Sequence, residues 1–151
     1  MKLALLLHIL GVVVWIGGMF FAYVALRPAA AKLLEPPQSL PLWRETLTNF
    51  FRWVWTAIIF ILVSGLYMMD QMGRGSTIPL YVWVMFGIGI VMMMIFLHIF
   101  FAPYARLRRF VDAQDWKSGG AALAQIRLLV GINLILGLAV IFISTLGALN
   151  L

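Results

Sequence analysis

The chain has 151 residues, 64% of them hydrophobic and 11% charged, with a formal net charge of +6 and no cysteine. So little polar surface excludes an ordinary soluble domain, in which about 25% of residues are charged, and the length holds four membrane spans of about 20 residues each with no room for a separate soluble domain. The absence of cysteine excludes disulfides, thiolate metal sites, iron–sulfur clusters and covalently attached haem, so any metal here must be held by imidazole, thioether or oxygen.

The first apolar run, residues 3–26, carries no charge and stops at Arg27-Pro28, where a cation and a helix-breaking imino acid predict a membrane exit. It is too long for the apolar region of a secretory signal, despite Lys2 before it and Ala29-Ala30-Ala31 after it. Residues 27–52 contain Pro36, Pro37 and Pro41 among Arg27, Lys32, Arg44 and Arg52, which predicts a broken basic connector with a short helix near residues 43–51. The second span is expected at 53–69. Gly73 and Gly75 mark a short 70–78 turn, and the third span follows Pro79 and runs to Phe101, with Pro103 at its exit. Arg106, Arg108, Arg109, Asp112 and Asp115 then have the spacing of an extramembrane helix within a 102–127 connector, broken at Gly119-Gly120 before a fourth span at 128–149. No convincing internal repeat is present.

Arg27, Lys32, Arg44, Arg52, Arg106, Arg108, Arg109, Lys117 and Arg127 all fall in the two long connectors, against Lys2 and Arg74 on the other side. Cationic residues flanking apolar runs signal membrane topology rather than nucleic-acid binding, and the bias places both connectors in the cytoplasm and both termini outside. The expected fold is therefore all-α: an integral membrane four-helix up-and-down bundle, N-out/C-out, in a bacterial cytoplasmic membrane. It is expected as a monomer or a small homo-oligomer, with lipid as its main partner.

Polar side chains are costly in hydrocarbon, so the few within the spans are the candidates for chemistry: His8, Thr56, Ser64, His98, Asn133 and Ser144. His8, Gly11, Trp15 and Gly18 recur at steps of three and four on one helical stripe, and the glycines admit either a neighbouring helix or a flat cofactor. Met68 and Met69 on the second span and Met85 on the third are expected at the depth of His8. Imidazole with thioether suits Cu(I) or haem iron. Met92-Met93-Met94 points in three directions around a helix and serves packing instead. His98 lies at the opposite end of the bundle from His8, and Asn133 is expected at its depth as a hydrogen-bonding partner. Phosphate-binding loops, nucleophile elbows, paired carboxylates within a span and metalloprotease helices are absent from the sequence. That absence argues against hydrolytic and phosphoryl-transfer chemistry.

The stretch Leu7-His8-Ile9-Leu10-Gly11-Val12-Val13-Val14-Trp15-Ile16-Gly17-Gly18-Met19-Phe20-Phe21 resembles the first helix of the copper-resistance CopD family and of HemJ-type membrane proteins. The resemblance extends through Phe51-Arg52-Trp53-Val54-Trp55, Ser64-Gly65, Pro103-Tyr104-Ala105-Arg106-Leu107-Arg108-Arg109 and Ile126-Arg127-Leu128-Leu129-Val130-Gly131-Ile132-Asn133-Leu134. The whole chain looks like one of the short, stand-alone four-helix CopD-like proteins. The resemblance implies copper handling at the cytoplasmic membrane, and the shared expected depth of His8, Met68, Met69 and Met85 makes His8 the principal candidate ligand with Met68, Met69 or Met85 as sulfur partners. The HemJ relatives imply an alternative, a haem b redox protein in which His8 binds iron beside Gly11, Trp15 and Gly18. Those relatives carry a lysine upstream of the histidine that aligns with His98, and Gly87 stands there in this chain, a departure that weighs against oxidase activity. An assembly subunit of a membrane complex is a further alternative.

Overall fold

The computed structural model describes residues 1–75 and 77–149; Ser76, within the expected 70–78 turn, and the last two residues lie outside the description. Among the described residues the ordered elements are all helical: α1 (Lys2–Phe21), a π-helical turn (Ala22–Leu26), α2 (Arg27–Leu33), α3 (Pro36–Gly73), α4 (Leu80–Phe101), α5 (Pro103–Asp112) and α6 (Trp116–Leu149). Four rods are long and apolar enough to cross a membrane: Lys2–Leu33, Pro36–Gly73, Leu80–Asp112 and Trp116–Leu149. The protein is a multi-pass membrane protein built as an up-and-down bundle.

The connectors are far more helical than expected, and each departure has a local cause. Helix 1 does not stop at Arg27-Pro28. The Pro28 ring conflicts with the carbonyl one turn back, and the chain widens into a π turn there, with the Arg27 N–H donating to the Ala22 carbonyl, before continuing to Leu33. The break comes at Leu34 and Glu35, both extended, because a residue preceding proline avoids the α region. Pro36 and Pro37 then start α3, where a missing N–H costs nothing, and Pro41 forfeits a single further bond. The helix therefore runs unbroken through the expected connector into the second span. Its buried residues Leu40, Trp43, Leu47, Phe51, Val54 and Ile58 keep one stripe across both parts.

The α5–α6 break also differs from expectation: it falls at residues 113–115, and Gly119-Gly120 lie inside α6. Gln114 takes a positive φ of 55°. Its N–H donates to Val111 and the Asp115 N–H to Phe110, which closes the helix with a Schellman motif. Asp115 then caps α6, its carboxylate accepting from the Ser118 N–H at 3.1 Å. Gly119 serves close packing: a Cβ there would meet Leu40 at 3.2 Å.

Helix α1 packs on α3, and α4 on α6, with α5 lying across α6. An aromatic cluster joins the pairs: Phe96 meets Trp15, Phe51 and Trp55 edge-on at 6.2, 5.3 and 5.3 Å, and Phe51 meets Tyr104 at 4.9 Å. Edge-to-face pairs of this kind add about 0.5–1.5 kcal/mol each beyond the area they bury. The Tyr104 hydroxyl lies 2.7 Å from that of Thr48, which donates to the Arg44 carbonyl, and Arg44 pairs with Asp112 on α5. The buried core lies in the connector half and at mid-bundle. No described residue among 1–10, 65–91 or 138–149 is buried, and at the His8 end each pair is held separately, α1 to α3 at His8 and Gly65, α4 to α6 at Tyr81 and Gly147.

Candidate functional site

His8 sits on α1 two turns inside the chain start, half-buried against α3. Gly11, one turn further in, sets this close approach, since a Cβ on it would lie 3.0 Å from the Ala57 carbonyl and 2.8 Å from Ile61. Gly65 provides the same closeness from the α3 side, with its missing Cβ 3.3 Å from the imidazole. The imidazole Nδ1 lies 3.1 Å from the Ser64 hydroxyl, and Ser64 is itself buried.

The direction of that bond is set by the neighbouring backbone. Ser64 Oγ is hydrogen-bonded to the Phe60 carbonyl one turn back, and a carbonyl only accepts. The single hydroxyl proton is thereby committed, so Ser64 accepts from His8 Nδ1–H. The proton on Nδ1 leaves the lone pair on Nε2, which is the arrangement that outer partners impose on metal-ligating histidines. The sequence names both residues as span polar groups without joining them. They lie 56 positions apart on different helices, a pairing without a local signature.

Met68, Met69 and Met85 are half-buried, and the polar partner found for His8 is Ser64 rather than a methionine sulfur. Met68 lies four residues beyond Ser64 and shares its face of α3, whereas Met69 is turned about 100° away and Met85 belongs to α4, which packs on α6. Of the methionine triplet, Met92 and Met93 are core residues and Met94 is exposed. No group of three or more His, Cys, Asp or Glu that would hold a metal occurs among the described residues.

The stripe Gly11, Trp15 and Gly18 is filled by protein. Phe50 occupies the space beside Gly18 so closely that a Cβ there would overlap its ring, Ile61 fills the space beside Gly11, and Trp15 is buried against Phe96. The space that a flat ring would need beside Gly11, Trp15 and Gly18 is thus taken by Ile61, Phe96 and Phe50.

At the opposite end His98 is exposed, and the expected bond to Asn133 is not formed. The Asn133 amide donates instead to the Met92 carbonyl at 3.2 Å. Met92 lies six residues from His98, about 9 Å along the helix, so Asn133 sits deeper in the bundle than His98. His98 also falls beside the buried stripe Met92, Phe96 and Ile99 rather than on it.

A family model described as Copper resistance protein D, CopD, matches residues 44–146. The match covers more than half of the chain, including Ser64, Met68, Met69, Met85 and His98, and leaves His8, Gly11, Trp15 and Gly18 outside it. No match was found among curated proteins or among solved structures. With the match spanning α4, α5 and most of α3 and α6, the chain belongs to the CopD, copper resistance protein D, family.

Proposed function

We propose that the protein handles copper in a bacterial cytoplasmic membrane without catalysing a reaction, with His8 binding Cu(I) through Nε2. The observation that carries this reading is the relay from His8 Nδ1–H to Ser64 to the Phe60 carbonyl, which holds the imidazole in one orientation with its other nitrogen basic. Family membership supplies the copper context. Met68, on the face of α3 that carries Ser64, is the first sulfur partner, with Met69 and Met85 behind it; thioether and neutral imidazole together favour Cu(I) over harder ions. The uneven distribution of Lys and Arg supports the connectors lying in the cytoplasm, which puts His8 toward the outer face.

The test is a Cu(I) titration of the purified protein in detergent against a competing chelator. His8→Ala should abolish the tight site, and Ser64→Ala should weaken it by about 10–100-fold, the usual effect of removing a partner that orients a ligand. Unchanged affinity in His8→Ala would remove His8 from the site. Reporter fusions within residues 110–118 and at the C-terminus test the orientation: cytoplasmic activity at the C-terminus would reverse it.

A further inference from the structure

A second constellation lies at the connector end and does not involve His8. Pro103 has no backbone N–H to donate and bars Ala102 from the α region, so Ala102 takes φ −112° and ψ −86°, which ends α4 and lets α5 begin. Tyr104, Leu107 and Val111 form the buried side of α5, while Ala102, Ala105, Arg106 and Arg109, at separations of three and four, share the opposite face. Together with Phe101 they line a cleft of about 350 Å³ at the α4–α5 junction, part polar and part apolar.

The polar part is cationic. The Arg106 guanidinium donates to the side-chain carbonyl of Gln125 on α6, a neutral acceptor that steadies it and leaves most of its five N–H donors free. Among the described residues no Asp or Glu lines the cleft, and the salt bridges are Arg44–Asp112 and Arg74–Asp70, so neither Arg106 nor Arg109 is in an ion pair. The apolar part is Phe101, 69% exposed.

Height decides what meets this surface. Helix α4 has 22 residues, about 33 Å at 1.5 Å each, which matches a hydrocarbon core of about 30 Å and puts Phe101 at the edge of the acyl chains. Arg106 lies about 7.5 Å and Arg109 about 12 Å further along the axis, at and just beyond the outer limit of a headgroup layer about 5–7 Å thick on each side. Their long stems let the guanidiniums reach back into that layer. The cleft thus runs from apolar to cationic in the order in which an anionic phospholipid runs from acyl chain to phosphate. A free anion would use only its outer half.

We propose that this cleft binds the headgroup of an anionic phospholipid, its phosphate held by Arg106 and Arg109 and the start of an acyl chain resting on Phe101. Guanidinium forks match phosphate oxygens in geometry as well as charge. A volume some ten times the roughly 30 Å³ share of a water molecule holds a phosphodiester together with its attached alcohol. Basic pockets beside membrane spans take such headgroups.

The experiment follows the thermal unfolding midpoint of the full-length protein in a neutral detergent as phosphatidylglycerol, phosphatidylcholine or inorganic phosphate is titrated, the last against chloride at matched ionic strength. We expect saturable protection by phosphatidylglycerol with an apparent affinity at least about tenfold tighter than by phosphatidylcholine, a difference of about 1.4 kcal/mol, and none by inorganic phosphate. Arg106→Gln and Arg109→Gln should each weaken phosphatidylglycerol several-fold. Arg108→Gln removes the same charge from the same helix, but Arg108 lies over the Tyr104 ring at 5.8 Å and outside the cleft, so that variant should bind as the wild type does. Ala105→Trp keeps every charge and fills the cleft from an exposed position, so it should lose the lipid preference while the protein still folds. Equal protection by the two lipids, an Arg108→Gln loss as large as that of Arg106→Gln, or an unchanged preference in Ala105→Trp would overturn the proposal. Protection by inorganic phosphate equal to that by phosphatidylglycerol would overturn it as well, assigning the cleft to the free anion.

Discussion

Replacing Gly11 and Gly17 by alanine, one at a time, separates the role of close helix approach from the intrinsic cost of glycine in a helix. Both residues lie in α1, and each substitution gains up to about 1 kcal/mol of helix propensity. A Cβ on Gly17 meets nothing within 4 Å, whereas on Gly11 it lies 3.0 Å from the Ala57 carbonyl and 2.8 Å from Ile61. The Ile61 side chain is able to turn aside, but the Ala57 carbonyl is backbone, so α1 and α3 must part by some tenths of an ångström. Overpacking of this kind costs about 1–3 kcal/mol. The propensity gain cancels in the comparison, leaving Gly11→Ala about 1–3 kcal/mol less stable than Gly17→Ala. Reversible unfolding in mixed detergent micelles measures that difference. The same displacement acts three residues from His8, about 4.5 Å along the helix, so it should lengthen the 3.1 Å contact with Ser64 and be visible in the imidazole nitrogen resonances. Gly11→Ala as stable as Gly17→Ala, with unchanged His8 resonances, would refute the assignment of Gly11 as the residue that sets the α1–α3 distance.

Three further outcomes are expected. Gln114 holds a positive φ that costs a side-chain-bearing residue about 1–2 kcal/mol, so Gln114→Gly should stabilise the protein by up to about 1 kcal/mol after the added flexibility of the unfolded chain, measured by the same unfolding assay. The Asp115 carboxyl is held below its usual value of 3.8 by hydrogen bonds from Ser118, side chain first and backbone second. Its capping contribution is therefore complete above that value and disappears as pH falls through the lower folded-state pKa, seen as lost amide-exchange protection at the start of α6; Asp115→Asn should flatten that fall. His98 is exposed and unpaired with Asn133, so His98→Ala should change stability by no more than about 0.5 kcal/mol and leave Cu(I) binding at His8 intact.

The four spans were legible because hydropathy over a window of about 20 residues is a strong signal. The connectors were misjudged because proline and glycine act by position rather than by presence. Pro36 and Pro37 fall in the first turn of α3, where they initiate the helix. The α5–α6 break rests on Gln114, a residue type that gives no turn signal, while Gly119 and Gly120 are helical. His8 and Ser64 were visible separately as expensive polar residues.

The packing divides the bundle into two unequal halves, and that division bears on the copper role proposed for His8. Every buried hydrophobic residue lies in the connector half or at mid-bundle, where Ile16 and Met92 close on Gly137 and Asn133 ties α6 to α4. Beyond that level the α1–α3 and α4–α6 pairs are each pinned internally, and no buried side chain among the described residues joins one pair to the other. Spreading the pairs at the His8 end therefore breaks few buried contacts, whereas spreading them at the connector end would disrupt the aromatic cluster and the Arg44–Asp112 pair. Local openings are drawn from the parts of a protein with the fewest buried contacts. The contact between His8 and Ser64 lies within one pair, so it survives such an opening, and in the proposed copper role the imidazole would keep its orientation while access to it changes.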